Sequence, residues 1–275
     1  MFKRIISGSL IGLTVILIIL FAPKFVCNIV ATILALGGIY EFVKAMEKGG
    51  YRPIKAIPFF TCLGLLFVNS NSSILAYKFS FSIFSFLILG ILIYGLFPTK
   101  RTLVDVSLSI FSILYIPFLL SFVLSTFYVE GIGSYLIWFI LFGACLSDAF
   151  AYFVGVKFGK HKLCPSISPK KTIEGAIGGI VGTALTFLVY AFVLNKYCNF
   201  DIQYWQIILF GVVASIFAQI GDLVASSIKR FVGEKDFGSC IPGHGGILDR
   251  IDSVLFVAPV VYYGVLMFES LITLK

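Results

Sequence analysis

The feature that most constrains this sequence is a series of long apolar runs that recurs from one end of the chain to the other. Runs of roughly 18 or more apolar residues have the length that a helix needs to cross the hydrocarbon core of a bilayer. Because that core offers no water to hydrogen-bond the backbone, such runs fold as helices. The sequence therefore predicts an all-α polytopic membrane protein.

Nine candidate spans follow from these runs. The third is the weakest, because its apolar part is short and runs into the polar segment 69–73. We expect residues 1–275 to form a single integral membrane domain, in which 1–130 supplies the N-terminal spans and 133–275 carries the polar motifs. The spans lie at about 5–23, 25–43, 54–70, 79–97, 106–129, 133–156, 175–195, 204–227 and 251–272.

The composition agrees with this class of protein. The chain is 59% hydrophobic and only 12% charged, whereas a soluble domain carries about 25% charged residues. The first apolar run follows Lys3 and Arg4, as a signal peptide would, but it is too long for one and lacks a small-residue cleavage site. We therefore expect a retained first span. The six cysteines are scattered without a C-x-x-C pair, so neither a disulfide framework nor a zinc site is predicted.

The loop charges predict the orientation of the spans, since Lys and Arg are enriched in cytoplasmic loops. With the N-terminus in the cytoplasm and the C-terminus outside, 17 of the 21 basic residues fall on the inner side. The outer side then holds only Lys24, Lys78, Lys196 and Lys275. The same orientation puts the polar connections 157–174 and 228–250 in the cytoplasm.

Acidic residues inside apolar runs are functional candidates, because an ionisable group there is costly to keep. Asp222 lies in the eighth run, and the spacing of Gln219 and Ser226 places both on its helical face. Asp249 and Asp252 share a face at the start of the ninth span. If the intervening loop brings these spans together, the carboxylates need a cation between them, and oxygen ligands favour Mg²⁺ over zinc. We predict Asp222 and Asp249 as metal ligands, with Asp252 as a further one.

Simpler readings of these acidic residues stay open. Asp222 can be a buried carboxylate paired with Lys or Arg, and Asp252 can merely complement a helix N-terminus. Acidic residues near the other span ends show no pattern and are predicted to be solvated caps. These are Glu41, Glu47, Asp105, Glu130, Asp201 and Glu269.

The connection between the last two spans combines cations with a glycine-rich turn. Lys229, Arg230 and Lys235 precede His244-Gly245-Gly246. Glycines let backbone N–H groups approach an anion closely, and a following helix N-terminus favours phosphate. An ordinary tight turn with membrane-anchoring lysines is the alternative.

A second polar island runs from Asp148 to Gly175. Ser168 before Pro169 predicts a helix N-cap with proline at the first helical position. Lys170 and Lys171 would then lie in a first turn, where the helix dipole disfavours cations unless a polyphosphate is bound. Glu174 would contact metal or nucleotide, or neutralise Lys171. An irregular loop with topology-setting lysines is the alternative.

The stretch 226–252 resembles the signature of the phosphatidate cytidylyltransferase (CDP-diacylglycerol synthase) family. The resemblance is strong over the C-terminal half, including the block from Asp148 to Gly175, and extends to the N-terminal half only in hydropathy. The matching elements are Ser226, Lys229-Arg230, Lys235-Asp236, Pro242, His244-Gly245-Gly246 and Asp249-Arg250-Ile251-Asp252.

This resemblance implies that a phosphate of phosphatidate attacks the α-phosphorus of CTP, giving CDP-diacylglycerol and pyrophosphate. It also implies Mg²⁺ at Asp222 and Asp249, with room for a second, monovalent cation such as K⁺. Catalytic roles are predicted for Asp222, Asp249, Lys229 and His244. Substrate contacts are predicted for Asp148, Lys170, Lys171, Glu174, Ser226, Arg230, Gly245, Gly246 and Arg250.

The expected partners are CTP, phosphatidate and the lipid bilayer, with no nucleic acid, and a homodimer is left open. We expect a multi-pass protein of the plasma (inner) membrane whose active site faces the cytoplasm. Three rival functions remain. A CTP-dependent polyprenol or phytol kinase would release CDP, an ion or phosphate transporter would use Asp148 and Asp222 near the midplane, and a membrane scaffold would need neither.

Overall fold

The computed structural model describes residues 2–67, 74–95, 101–240, 245–267 and 273–274. The predicted catalytic residue His244 and the predicted cap Glu269 lie outside the described residues, as does the polar segment that follows the weak third span.

The described residues are mostly helical, and nine helical segments coincide with the nine predicted spans. Five of them (α2, α5, α6, α7 and α8) are long and apolar enough to cross a membrane. The count of nine membrane spans and the orientation of the termini stay predictions. The helices are α1 Phe2–Phe21, α2 Lys24–Lys48, α3 Ala56–Phe67, α4 Ile74–Gly95, α5 Leu103–Phe127, α6 Gly133–Phe158, α7 Ile173–Tyr197, α8 Tyr204–Phe231 and α9 Leu248–Met267.

Two short antiparallel strand pairs accompany the helices. Strand β1 (Lys162–Cys164) pairs with β2 (Ser168–Thr172), with Lys162 opposite Thr172. Strand β3 (Phe200–Asp201) pairs with β4 (Thr273–Leu274). The first pair occupies one of the predicted cytoplasmic connections, so part of that connection is a hairpin.

Two of the long helices contain a widened π turn. In α5 this turn spans Leu114–Phe118 and includes Pro117. Proline has no N–H to donate and its ring clashes with the preceding turn, which accounts for the departure from α geometry there. In α6 the π turn spans Phe142–Leu146 and leads directly into the segment that carries Asp148.

Helix α5 begins with a reciprocal cap between Thr102 and Asp105. The Thr102 hydroxyl accepts from the Asp105 N–H at 3.3 Å, and Asp105 accepts from the Thr102 N–H at 2.7 Å. Asp105 also accepts from the Arg52 N–H at 2.6 Å and is buried. It is therefore a cap, as predicted, but a buried one that also fixes the preceding connection.

The chain divides into two compact units, Met1–Ser134 with Ile228–Ile251, and Tyr135–Ser227 with Asp252–Lys275. The first unit contains a core where α3, α4 and α5 meet. The second packs α7 closely against α6, and Phe139 contacts Phe187 with ring centroids 4.9 Å apart. The first core consists of Ile54, Phe84, Ile91, Val106 and Ile113.

Candidate active site

Asp249, the second residue of α9, is a buried carboxylate with both oxygens bound. Its Oδ1 accepts from the Lys229 ammonium at 2.7 Å. Its Oδ2 accepts from the N–H groups of Phe237 and Gly246, each at 3.0 Å. A buried charge is stable only when it is paired and hydrogen-bonded, and these contacts meet that need. Asp249 therefore holds the Lys229 ammonium and is hydrogen-bonded to two positions, Phe237 and Gly246, in the connection between α8 and α9.

The turn before α9 requires glycine for two different reasons. Gly245 has a φ of +81°, a left-handed conformation that side chains disfavour. Gly246 lies against the carboxylate of Glu41, where a Cβ would overlap both oxygens. The glycine turn predicted from sequence is therefore present at its described residues. Gly245 lies near the carboxylate of Asp249, and Gly246 lies against that of Glu41.

Glu41 of α2 was predicted to be a solvated cap, and this prediction is wrong. Its side chain is buried, with 4% of the residue exposed. Its Oε2 accepts from the N–H of Leu248, the first residue of α9, at 2.9 Å. Unpaired N–H groups at a helix N-terminus attract negative charge, which explains why this carboxylate is buried there.

A partly open cavity of about 440 Å³ lies between α2 and this connection. Lys44, Lys48 and Lys235 line it together with Glu41. Lys48 pairs with Glu234 at 2.8 Å. Arg230 donates to the Glu234 carbonyl at 2.9 Å, and Arg250 is exposed. Of the predicted cations, Lys229 is buried against Asp249, Lys235 lines the cavity, and Arg230 and Arg250 are exposed.

The second unit contains another lysine–aspartate pair. Asp222 of α8 accepts through Oδ2 from the Lys171 ammonium at 2.7 Å. Its Oδ1 lies 3.5 Å from the Ser226 hydroxyl. Lys171 also donates to the Gln219 carbonyl at 3.4 Å. The predicted polar face of α8 is thus confirmed for Asp222 and Ser226, and the pairing that the simpler reading foresaw for Asp222 is present.

Lys170 and Lys171 lie in a strand and not in a helix, so the predicted N-cap at Ser168 is wrong. Residues Ser168–Thr172 form β2, and α7 begins only at Ile173. Thr172 is the N-cap, its hydroxyl accepting from the Gly175 N–H at 3.2 Å. The backbone that was predicted to form a first helical turn is instead paired with β1 in a hairpin. The lysines therefore never oppose the helix dipole, and Lys170 is exposed.

Glu174 in the first turn of α7 binds the hairpin instead of Lys171. Its Oε1 is 2.7 Å from His161 Nδ1, and it accepts from the Lys160 and His161 N–H groups at 3.1–3.2 Å. His161 has no motif around it, so sequence reasoning missed this contact. Glu174 keeps the connection between α6 and α7 folded beside Lys171.

Asp148 and Asp252 both accept hydrogen bonds from Ser253. The Ser253 hydroxyl donates to Asp148 Oδ2 at 3.2 Å, and the Ser253 N–H donates to Asp252 Oδ1 at 2.8 Å. Asp252 is buried, whereas Asp148 is exposed. The structure therefore brings Asp148 beside the segment that carries Asp252.

The oxygen-rich side chains suit a hard cation chemically. Among the described residues, however, no group of three His, Cys, Asp or Glu side chains is arranged to hold a metal ion. Asp222 is the better candidate ligand, because its side chain is 29% exposed, whereas Asp249 is buried and also bound to two backbone N–H groups. Asp249 could bind a cation only after giving up Lys229. The shared ion predicted for Asp222 and Asp249 stays a prediction.

The fold and these side chains define a class of protein. Its long apolar helices indicate a multi-pass membrane protein, and lysine–aspartate pairs and a glycine turn lie among its described residues. The profile of the cytidylyltransferase family matches residues 2–268. The chain belongs to the cytidylyltransferase family.

Several curated proteins named phosphatidate cytidylyltransferase are similar to the chain. The one from Thermotoga maritima is 40% identical over 152 residues, which is 55% of this chain and 56% of that protein. The one from Bacillus subtilis is 46% identical over 133 residues, 47% of this chain and 48% of that protein. In these alignments the chain spans about half the length of its relative.

A protein of the same name from Mycobacterium bovis matches over a longer stretch. It is 32% identical over 271 residues, which covers 91% of this chain and 83% of that protein. The likeness therefore reaches the N-terminal half, where sequence reasoning found only hydropathy.

Proposed function

We propose that the chain transfers a cytidylyl group from CTP to phosphatidate, giving CDP-diacylglycerol and pyrophosphate for phospholipid synthesis. The observation that carries this proposal is the family match over 2–268, together with relatives named phosphatidate cytidylyltransferase. The two lysine–aspartate pairs support it, because they hold cations ready beside carboxylates without a strong general base.

The reaction that we propose needs little from a side-chain base. A phosphate oxygen of phosphatidate forms a bond to the α-phosphorus of CTP, and the bond from that phosphorus to the bridging oxygen of pyrophosphate breaks. A phosphate monoester is already a competent nucleophile near neutral pH. The barrier comes from bringing anions together and from charge that builds on the leaving pyrophosphate, so positioning and electrostatic stabilisation are the main requirements.

Lys171 and Lys229 are the cations that we assign to the phosphates. In the structure each ammonium lies 2.7 Å from an aspartate. A bound polyphosphate offers each ammonium an alternative anion, so the lysines exchange a carboxylate for a phosphate when substrate binds. Arg230, Lys170 and Arg250 would neutralise further phosphate charge, with Ser226, Asp148, Glu174 and the N–H groups of Gly245 and Gly246 as additional contacts. His244 keeps its predicted role at a phosphate or the leaving group.

Mg²⁺ is the cation that we propose, with Asp222 and Asp249 as its ligands and Asp252 as a further one. When bound, it neutralises charge on the transferring and leaving phosphates. Release of the two aspartates from their lysines would free the oxygens that such an ion needs. A second, monovalent cation such as K⁺ is part of the same proposal.

We also propose the arrangement in the membrane that the loop charges predict. Nine spans with a cytoplasmic N-terminus would put the segments 157–174 and 228–250 where nucleotide is available. Phosphatidate could then reach the site from the inner leaflet without withdrawing its acyl chains. On this basis we assign the protein to the plasma membrane, whether it acts as a monomer or as a homodimer.

Purified protein incubated with phosphatidate, Mg²⁺ and CTP tests this function directly. CTP labelled at the α-phosphorus should give a labelled lipid, and CTP labelled at the γ-phosphorus should give labelled pyrophosphate. In a parallel assay with a polyprenol or phytol in place of phosphatidate, label from the γ-position in the lipid, with CDP released, would identify a lipid kinase instead. Solute flux across proteoliposomes, with no transfer of label from CTP to lipid, would identify a transporter.

A further inference from the structure

Glu41 is a buried carboxylate to which the proposed mechanism gives no role. It lies in α2, about two turns before the end of that helix at Lys48. An ionisable group inside an apolar helix is costly and needs a reason. Glu41 is also far in sequence from the signature, since 207 positions separate it from Leu248.

The carboxylate of Glu41 contacts three positions of the signature connection. Its Oε2 accepts from the Leu248 N–H at 2.9 Å. Its oxygens pack against Gly238 and Gly246, and a Cβ at either glycine would overlap the carboxylate. Glu41 therefore touches both sides of the segment between Gly238 and Gly246 as well as the start of α9.

These contacts are adjacent to those of Asp249. Asp249 accepts from Phe237 and Gly246, and Glu41 packs on the neighbouring Gly238 and on Gly246 itself. Leu248, which donates to Glu41, is the residue before Asp249. A shift of the Leu248 backbone would displace Asp249 and its bond to Lys229.

The second oxygen of Glu41 is not used by the protein. Among the described residues, Oε1 is buried and has no hydrogen-bond partner. Glu41 also lines the cavity that Lys44 and Lys48 of the same helix line. An unsatisfied buried acceptor is unfavourable, so Glu41 occupies this position at a cost to stability.

We propose that Glu41 is a positioning residue of the active site. It holds the N-terminus of α9 and the glycine-bounded connection, so that Asp249 and Lys229 are set for the reaction without Glu41 touching substrate. This inference rests on the proposed function, because it assigns Glu41 a part in the same turnover.

A pair of variants with similar size separates positioning from packing. Glu41→Gln keeps an acceptor for the Leu248 N–H, whereas Glu41→Met fills the same space without one. We expect Glu41→Met to lower kcat by at least tenfold with KM for CTP and phosphatidate changed less than twofold. Glu41→Gln should recover most of kcat. Glu47→Ala is the matched control, because Glu47 is on the same helix and pairs with Lys55 at the surface.

Hydrogen–deuterium exchange gives a readout that does not need activity. In Glu41→Met, the peptide that contains 245–250 should exchange at least tenfold faster than in the wild type, while a peptide from α7 should be unchanged. Wild-type kcat in a folded Glu41→Met protein, or unchanged exchange at 245–250, would overturn the proposal. An inactive wild-type protein would instead reject the proposed function, and the exchange result would still decide whether Glu41 holds the connection.

Discussion

At the scale of single residues, two of the three predicted metal ligands, Asp222 and Asp249, are each paired with a lysine. Lys171 binds Asp222 and Lys229 binds Asp249, both at 2.7 Å. The lysine–aspartate pairs balance charge, and under the proposed function they would keep the ammonium groups in place for a phosphate. The environments of the two pairs differ, since Asp249 is buried and bound to two backbone N–H groups, whereas Asp222 is partly exposed.

Neutralising Asp222 should remove activity and leave the fold intact. Asp222→Asn keeps the size of the side chain but loses the charge that binds Lys171 and the proposed cation. We expect kcat to fall by about 10³-fold, the scale of losing a preorganised electrostatic group, with unfolding in detergent unchanged. Asp201→Asn, at an exposed position of β3, is the control. Full activity of Asp222→Asn would remove Asp222 from the reaction.

Truncating Lys171 should affect the nucleotide more than the lipid. Lys171→Ala leaves Asp222 without its ammonium and removes one cation from the proposed triphosphate site. We expect KM for CTP to rise about tenfold or more, as one charge-assisted contact of about 1.5–3 kcal/mol predicts, with KM for phosphatidate nearly unchanged. Lys162→Ala, on the partner strand of the same hairpin, is the control. A larger effect on phosphatidate would place this hairpin at the lipid.

At the scale of elements, hydropathy was enough to find the helices. Each predicted span coincides with a helical segment, because twenty apolar residues leave little choice of structure in a bilayer. The structure of the connections between the helices was harder to predict from the sequence. Ser168-Pro169 has the letters of an N-cap, but pairing with β1 satisfies that backbone, and Thr172 provides the cap instead. Local propensity could not reveal a competing hairpin that depends on residues four to ten positions away.

The acidic residues show the same limit. Asp222 stood out because its neighbours at helical spacing are polar, and Asp249 because a recognisable signature surrounds it. Glu41 has neither signal, and its partner Leu248 is remote in sequence. Its position inside an apolar helix was the one available clue. Buried roles that are defined by distant backbone N–H groups are not visible in a single sequence.

The close packing of α7 on α6 predicts an effect on stability. A Cβ at Gly182 would overlap the ring of Phe150. Gly182→Ala should therefore lower the free energy of unfolding by about 1–3 kcal/mol through overpacking, measured by thermal unfolding in detergent. Gly90→Ala in α4 is the matched control, because its Cβ would meet no atom within 4 Å. That control should be neutral or slightly stabilising, since alanine is the better helix former. Equal behaviour of the two variants would contradict the packing described for α6 and α7.

At the scale of the whole molecule, the proposed reaction requires a defined orientation of the protein in the membrane. The proposed inner side collects 17 of the 21 basic residues and both polar connections. This asymmetry is the reason to place the reaction in the cytoplasm, where CTP is available, and to let phosphatidate approach from the inner leaflet.

Two native cysteines test this orientation. Cys240 follows Lys235 in the proposed inner connection, and Cys198 follows α7 on the proposed outer side. In variants that retain one of these two thiols, a membrane-impermeant maleimide should label Cys198 in right-side-out vesicles and Cys240 in inside-out vesicles. Labelling of both from the same side would rule out the nine-span arrangement.

The most direct measurement of the central claim is transfer of label from α-³²P-CTP to phosphatidate by purified wild type and Asp249→Asn, assayed side by side with Mg²⁺. The account predicts labelled CDP-diacylglycerol and one equivalent of pyrophosphate from the wild type, and almost none from a folded Asp249→Asn protein. Equal transfer by the two proteins, or no labelled lipid from an intact wild type, would contradict it.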